Sequence, residues 1–260
     1  MASNESWLKI FKDYKIAKHN FDESPFELSA DQIKISCQNF KSTNQKEVRI
    51  LCKQDSREDR PDIFIKNDLF LLPTKNGYYS IVKGEGYVDI PEIKSNSKTY
   101  SSKLDFKLDS SEIGDSEMQH LDFAYASSLI RTFMKDESLV LTIRGRKYTP
   151  EFSFYVNKHK IVTQSVQTEV DAGYEGRDKI VLIEAKNSKT SNTIIRQLFY
   201  PYKQWKHHTK KDVFLLFFEK RQSDFYIWQY GFTNEEDYNS IKLIKAEKYN
   251  IAGPNDVDAN

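Results

Sequence analysis

The chain has 260 residues, enough for one large domain or two smaller ones, and its 15 Tyr, 17 Phe and 3 Trp supply the bulk of a hydrophobic core. Burying such side chains contributes about 1.5–3 kcal/mol each, so the fold does not depend on a metal or disulfide staple. Charged residues make up 30% of the chain but the net charge is +1, so any basic surface is local; two cysteines, Cys37 and Cys52, with no Cys/His pair at zinc spacing, exclude a zinc finger and read as buried small apolar side chains.

Residues 1–18 are amphipathic and charged, without the apolar stretch of a secretory signal. Trp7, Leu8, Ile10, Phe11 and Tyr14 predict a short helix there. Ser29, with Gln32 three residues on, predicts a capped helix running to about Phe40, and a second helix follows over 45–54. Strands are expected over 63–65, 69–72 and 78–82, the last two joined by the Asn76-Gly77 turn. Two helices and a hairpin are the order of a winged helix, and equally of a plain structural subdomain; this N-terminal unit spans 1–95. Residues 96–111 are rich in Ser, Lys and Asp and read as a linker.

The second unit, 112–250, opens with a helix capped by Asp115 or Ser116 and running to about Asp136. Strands are expected over 139–143, 152–156, 161–171 and 179–184, a helix over 191–208 despite Pro201, and strands over 213–218 and 225–230. The fold class is therefore α/β (α+β), a mixed central sheet flanked by helices, with 251–260 as a flexible tail. The longest apolar run, at 213–218, is too short to span a membrane; a soluble, cytoplasmic protein is expected.

The apolar run Ile180-Val-Leu-Ile183 suits a strand buried on both faces, and it ends abruptly in Glu184-Ala-Lys186. Side chains alternate along a strand, so Glu184 and Lys186 share a face. If the preceding strand pairs with this one through the Gly-containing turn, Asp171 at its end converges on Glu184. Two close carboxylates repel, and a divalent cation stabilises their ionised forms; oxygen ligands without Cys or His select Mg²⁺, with Mn²⁺ as a substitute. Lys186 beside them serves to orient or deprotonate a water and to offset phosphate charge.

Asp171, twelve intervening residues and Glu184-Ala-Lys186 resemble the motif of the PD-(D/E)XK nucleases. Residues 195–205 and the stretches Arg57-Glu-Asp-Arg-Pro-Asp-Ile-Phe64 and Leu69–Pro73 are similar to segments of one group of type II restriction endonucleases. Val170 stands where the motif's proline would be. The resemblance implies a restriction-endonuclease-like core in which Asp171 and Glu184 are metal ligands and Lys186 the catalytic lysine. It implies double-stranded DNA as substrate, a cognate DNA methyltransferase as genetic partner, and an assembly open to homodimer formation.

Glu169 shares a strand face with Asp171 and is either a further metal ligand or a solvated charge. Glu117, early on the helix before the sheet, is either another acidic ligand or a charge favoured by the helix dipole. Gln197 is a candidate near the site, and His207-His208 read as exposed. Residues 185–211 hold seven basic residues and no acidic ones, with Tyr200, Tyr202 and Trp205 interleaved; Lys189, Arg196 and Lys203 are expected to contact phosphates. Arg144, Arg146 and Lys147 form a second basic group at a strand–turn junction. Arg49, with Lys46, Lys53, Gln45 and Gln54, is placed to read base edges. The functions compatible with these features are a site-specific endonuclease, a repair or recombination nuclease of the same fold, and a non-catalytic winged-helix regulator.

Overall fold

The computed structural model describes residues 4–112 and 114–252. Trp7, Ile10 and Phe11 fall at helical spacing, and α1 (Asn4–Asp13) buries all three. Strand β1 (Phe26–Ser29) runs directly into α2 (Ala30–Cys37), started by the expected capping box: Gln32 N donates to Ser29 Oγ and Ser29 N to Gln32 Oε1. The helix expected over 45–54 is two shorter ones, α3 (Thr43–Lys46) and α4 (Val48–Leu51), separated by the extended backbone of Glu47. Residues 63–65 are not a strand but lie in α5 (Asp62–Lys66). Pro61 and Asp62 suit a helix start, and the helical turn drives Phe64 edge-on against Trp7 at 4.7 Å.

Strands β2 (Leu69–Lys75) and β3 (Tyr78–Lys83) form the expected hairpin, with Gly77 at φ 76°. With β1 they make a three-stranded antiparallel sheet of order β1-β3-β2, whose buried face joins Trp7, Phe11, Ile33, Leu51 and Phe64 in one core. Cys37 belongs to that core, and burial pushes the Cys52 thiol up to about 12.

Strand β4 (Tyr87–Asp89) follows. The tract expected as a linker then contributes a strand of its own, β5 (Lys98–Ser101). The long helix expected before the sheet is broken into α6 (Glu117–Ala126) and α7 (Leu129–Met134) by Ser128 in the left-handed region. Strand β6 (Val140–Tyr148) is longer than expected and contains the Arg144–Lys147 group, with a bulge near Gly145 at φ 76°. The strand expected over 161–171 is two: β7 (Phe152–Val156) and β8 (His159–Thr163) form a separate hairpin, Ser165 turns the chain at φ 53°, and β9 (Gln167–Glu175) begins afterwards. Next come β10 (Lys179–Lys186), β11 (Asn192–Ile194) where the start of a helix was expected, α8 (Arg196–His208), β12 (Asp212–Arg221), β13 (Asp224–Phe232) and β14 (Ile241–Ala252). Ile251 and Ala252 therefore extend a strand, and the rest of the expected tail, 253–260, lies outside the described residues.

The large sheet has the order β5-β14-β13-β12-β10-β9-β6. It is mixed: β6, β9 and β10 are antiparallel neighbours, and β12 returns parallel to β10 after the α8 crossover. Helices α6 and α7 cover one face through Leu121, Ile130 and Phe133 against Tyr174, Val181 and Leu216. Helix α8 covers the other through Leu198 and Tyr202 against Leu182, Leu215 and Trp228. Burial on both faces explains the continuous apolar run of β10. Among the described residues no helix is long and apolar enough to cross a membrane.

Candidate active site

In the β9–β10 ladder the last rung sets Ile183 opposite Ala172, and Glu184 and Asp171 are the next residues along the two strands. Asp171 thus lies inside β9 rather than at its end, and β9 and β10 pair as expected. Asp171 Oδ2 accepts from the Ala185 amide at 2.8 Å, which ties its side chain to β10. Lys186 Nζ donates to Glu184 Oε1 at 2.5 Å, as expected for two side chains on one strand face.

Glu184 is nearly fully buried, and burial pushes its pKa up to about 7; the Lys186 charge pulls the other way, while Asp171 adds to the rise. Burial also raises Asp171, helped by Glu117 and Glu169 and opposed by the Ala185 amide and Lys186. Burial alone would lower Lys186, but Glu184, with Asp171 and Glu117, raises it above the ordinary lysine value, so its ammonium stays charged.

Glu169, Glu184 and Gln197 line a small cavity between the strands and α8, closed by Leu182, Leu198 and Pro201. Gln197 accepts from Thr193 Oγ1 at 2.6 Å. Glu169 pairs with Arg146 at 3.3 Å, and Glu117 accepts from the Asn187 amide at 3.2 Å. Among the described residues no group of three or more His, Cys, Asp or Glu side chains is arranged to hold a metal ion. The four-carboxylate set of Asp171, Glu184, Glu117 and Glu169 is therefore not gathered at one point. The Asp171–Glu184 pair does fit a hard divalent cation: each carboxylate spends one oxygen on its protein partner and keeps another, and burial raises both above their ordinary values.

The basic stretch 185–211 is far less positive in space than in sequence. Lys189 pairs with Glu92 at 2.8 Å, Arg196 with Asp55 at 3.3 Å, Lys206 with Glu235 at 3.0 Å and Lys211 with Glu175 at 2.5 Å, while Lys203 donates to the Glu235 carbonyl at 3.1 Å. Arg144 is held by Asp122. Lys147, Arg49 and Lys46 are exposed, as are His207 and His208. Gln54, expected to read bases, is 1% exposed and faces the interior, and Gln45 donates to Glu5.

Sequence reasoning missed Glu219. It is fully buried on β12 in register with Lys186, accepts from Thr190 N at 2.9 Å, and pairs with Arg221, which in turn grips Glu92 at 3.1 Å. The signal was present: Phe217-Phe218-Glu219-Lys220-Arg221 leaves an apolar strand as abruptly as β10 does.

The chain is thus a mixed α/β protein whose large sheet carries an Asp–Glu–Lys cluster on two adjacent strands, with the glutamate buried. Residues 82–250, more than half of it, match the family model described as Domain of unknown function (DUF6997), and the chain belongs to that family. Residues 4–81 match a second model, Domain of unknown function (DUF6996), so the boundary between the two falls within β3. No curated protein and no solved structure matches the chain.

Proposed function

We propose that this protein is a Mg²⁺-dependent endonuclease of the PD-(D/E)XK kind that cuts double-stranded DNA at specific sites, as a type II restriction enzyme does. The observation that carries the reading is the convergence of Asp171, Glu184 and Lys186 on adjacent strands, with Glu184 buried and reluctant to ionise. The element order supports it: a helical layer, three antiparallel strands β6-β9-β10, the α8 crossover and a strand parallel to the third are the order that such a core would require. The N-terminal unit supports a winged-helix reading, since β1 lies between α1 and α2, the β2–β3 hairpin follows the helices, and the sheet order is β1-β3-β2. Its exposed Arg49 and Lys46 then face DNA.

In this chemistry Asp171 and Glu184 would hold the cation, whose contribution would be Lewis-acid polarisation of the scissile phosphate and of a water. The Ala185 amide fixes the Asp171 carboxylate. Lys186, paired with Glu184, would orient or deprotonate the water and offset phosphate charge. Gln197, beside Glu184 and Glu169, is placed to position the attacking water or a phosphate oxygen.

The test is incubation with methylation-free plasmid and Mg²⁺ or Mn²⁺. Discrete bands, abolished by EDTA and restored by metal, are expected, and methylation by a cognate methyltransferase should protect the substrate. A smear removes the site specificity and leaves a repair-type nuclease. Binding to DNA without cleavage in either metal overturns the enzymatic reading in favour of a winged-helix regulator.

A further inference from the structure

The chain leaving α4 does not run free toward β2. Residues 55–60 are strapped to the segment that leaves Lys186. Ser56 and Asp59 form a capping box that fixes a helical turn at Arg57–Asp59. From that turn the Arg57 amide donates to Asn192 Oδ1 at 2.7 Å, and Asn192 Nδ2 donates to both carboxylate oxygens of Glu58 at 3.1 and 2.9 Å. The Ile194 amide donates to the Asp55 carbonyl at 2.8 Å, and Arg196 pairs with Asp55 at 3.3 Å. On its other edge β11 pairs with β4, whose Asp89 is bound by Arg57 at 2.5 Å.

This strap joins two functional regions. Upstream lies α3–α4, with exposed Lys46 and Arg49. Downstream, the segment from Asn187 to Gln197 leads from Lys186 to the cavity beside Glu184, and the Asn187 and Thr190 amides along it hold Glu117 and Glu219. The charge of Asp55 itself acts on Glu184. Asn192 is the pivot: it is 3% exposed, and its amide meets a backbone N–H on one side and a carboxylate on the other. Only an amide satisfies both, because an aspartate would face Glu58 as a like charge.

Resting on the nuclease reading above, we infer that Asn192 is a positioning residue that couples the N-terminal unit to the Asp171–Glu184–Lys186 site, so that the site is set for cleavage only when α3–α4 engages DNA. Asn192 touches neither DNA nor the reacting atoms. It acts through the 187–197 segment, and the Arg57-Glu-Asp-Arg stretch singled out in the sequence is the other half of the joint.

The experiment compares the full-length wild type with Asn192→Asp, Glu58→Lys and the double variant Asn192→Asp/Glu58→Gln, in which the amide and carboxylate exchange places. The probe is a duplex carrying the sequence cut in the plasmid assay. Binding is measured in EDTA, single-turnover cleavage in Mg²⁺, and amide hydrogen exchange over 187–197 with and without the duplex. Asn192→Asp is expected to bind with unchanged affinity yet cut about 10- to 100-fold more slowly, the scale of effect that a small misplacement of catalytic groups produces. Duplex binding should slow exchange over 187–197 in the wild type but not in Asn192→Asp, and the double variant should regain both responses. Glu58→Lys, a change at an exposed position, should behave like Asn192→Asp and carries the test if that variant fails to fold. Wild-type cleavage by both single variants, loss of binding and cleavage in parallel, or no recovery in the double variant overturns the coupling and leaves the nuclease intact. A wild type that binds the duplex but never cuts in Mg²⁺ or Mn²⁺ overturns the nuclease reading itself, and this inference with it.

Discussion

Replacing Glu184 by Gln removes the more deeply buried carboxyl of the site. Folding lifts Glu184 from its ordinary value of 4.5 to about 7. Its contribution to stability is thus fully present below about pH 4.5 and is lost as the pH rises through about 7, because the unfolded chain ionises first. With about 1.36 kcal/mol per pKa unit, the loss between pH 5 and pH 8 is roughly 2–3 kcal/mol. Lys186 stays charged across this window, so losing its partner in Glu184→Gln is an offset that does not change with pH. Urea unfolding of both proteins in chelator at pH 5, 6, 7 and 8 isolates the carboxyl: the stability of wild type relative to Glu184→Gln should fall steadily with rising pH. The same ionisation governs cation binding, so the affinity of the wild type for Mn²⁺, titrated calorimetrically, should weaken about tenfold for each pH unit below 7. A stability difference that stays flat from pH 5 to 8, or moves the other way, together with pH-independent Mn²⁺ affinity, would refute the picture of Glu184 as a buried acid that a cation must ionise.

Lys186→Ala and Asp171→Ala should each slow cleavage by about 10²–10⁴-fold while leaving duplex affinity intact in gel-shift assays, since neither side chain lies on the exposed basic surface. Arg49→Ala should reduce preference for the cognate site by about 1–3 kcal/mol in binding titrations against a scrambled duplex, and equal losses on both duplexes would remove Arg49 as a reader. Lys147→Ala should weaken both complexes alike and flatten their salt dependence, as loss of a phosphate contact does. Gly86→Ala should lower Tm by several degrees without altering specificity, because an added Cβ would overlap the fully buried Phe70 ring, and overpacking a core costs about 1–3 kcal/mol.

What the sequence determined by itself are the features set by short-range physics. The Ser29 capping box and the Asn76-Gly77 hairpin each depend on residues within a few positions of one another, and both form where the pattern places them. Strand alternation likewise puts Glu184 and Lys186 on one face, where they pair. Short-range pattern fails where neighbours in space overrule it: three successive apolar residues at 63–65 fit a strand as well as the helix that delivers Phe64 to Trp7, and Ser128 and Ser165 break elements that periodicity alone would continue. Tertiary structure alone decided the rest of the site. Asp171 reaches Glu184 through the β9–β10 register, Gln54 is turned inward, and residues 98–101 become an edge strand by joining β14. It also neutralised the basic stretch after Lys186, whose acidic partners Asp55, Glu92 and Glu235 arrive from distant parts of the chain. Coulomb interactions depend on distance in space and not on separation in sequence, so a run of lysines becomes a charged surface only if the fold brings no carboxylates to it.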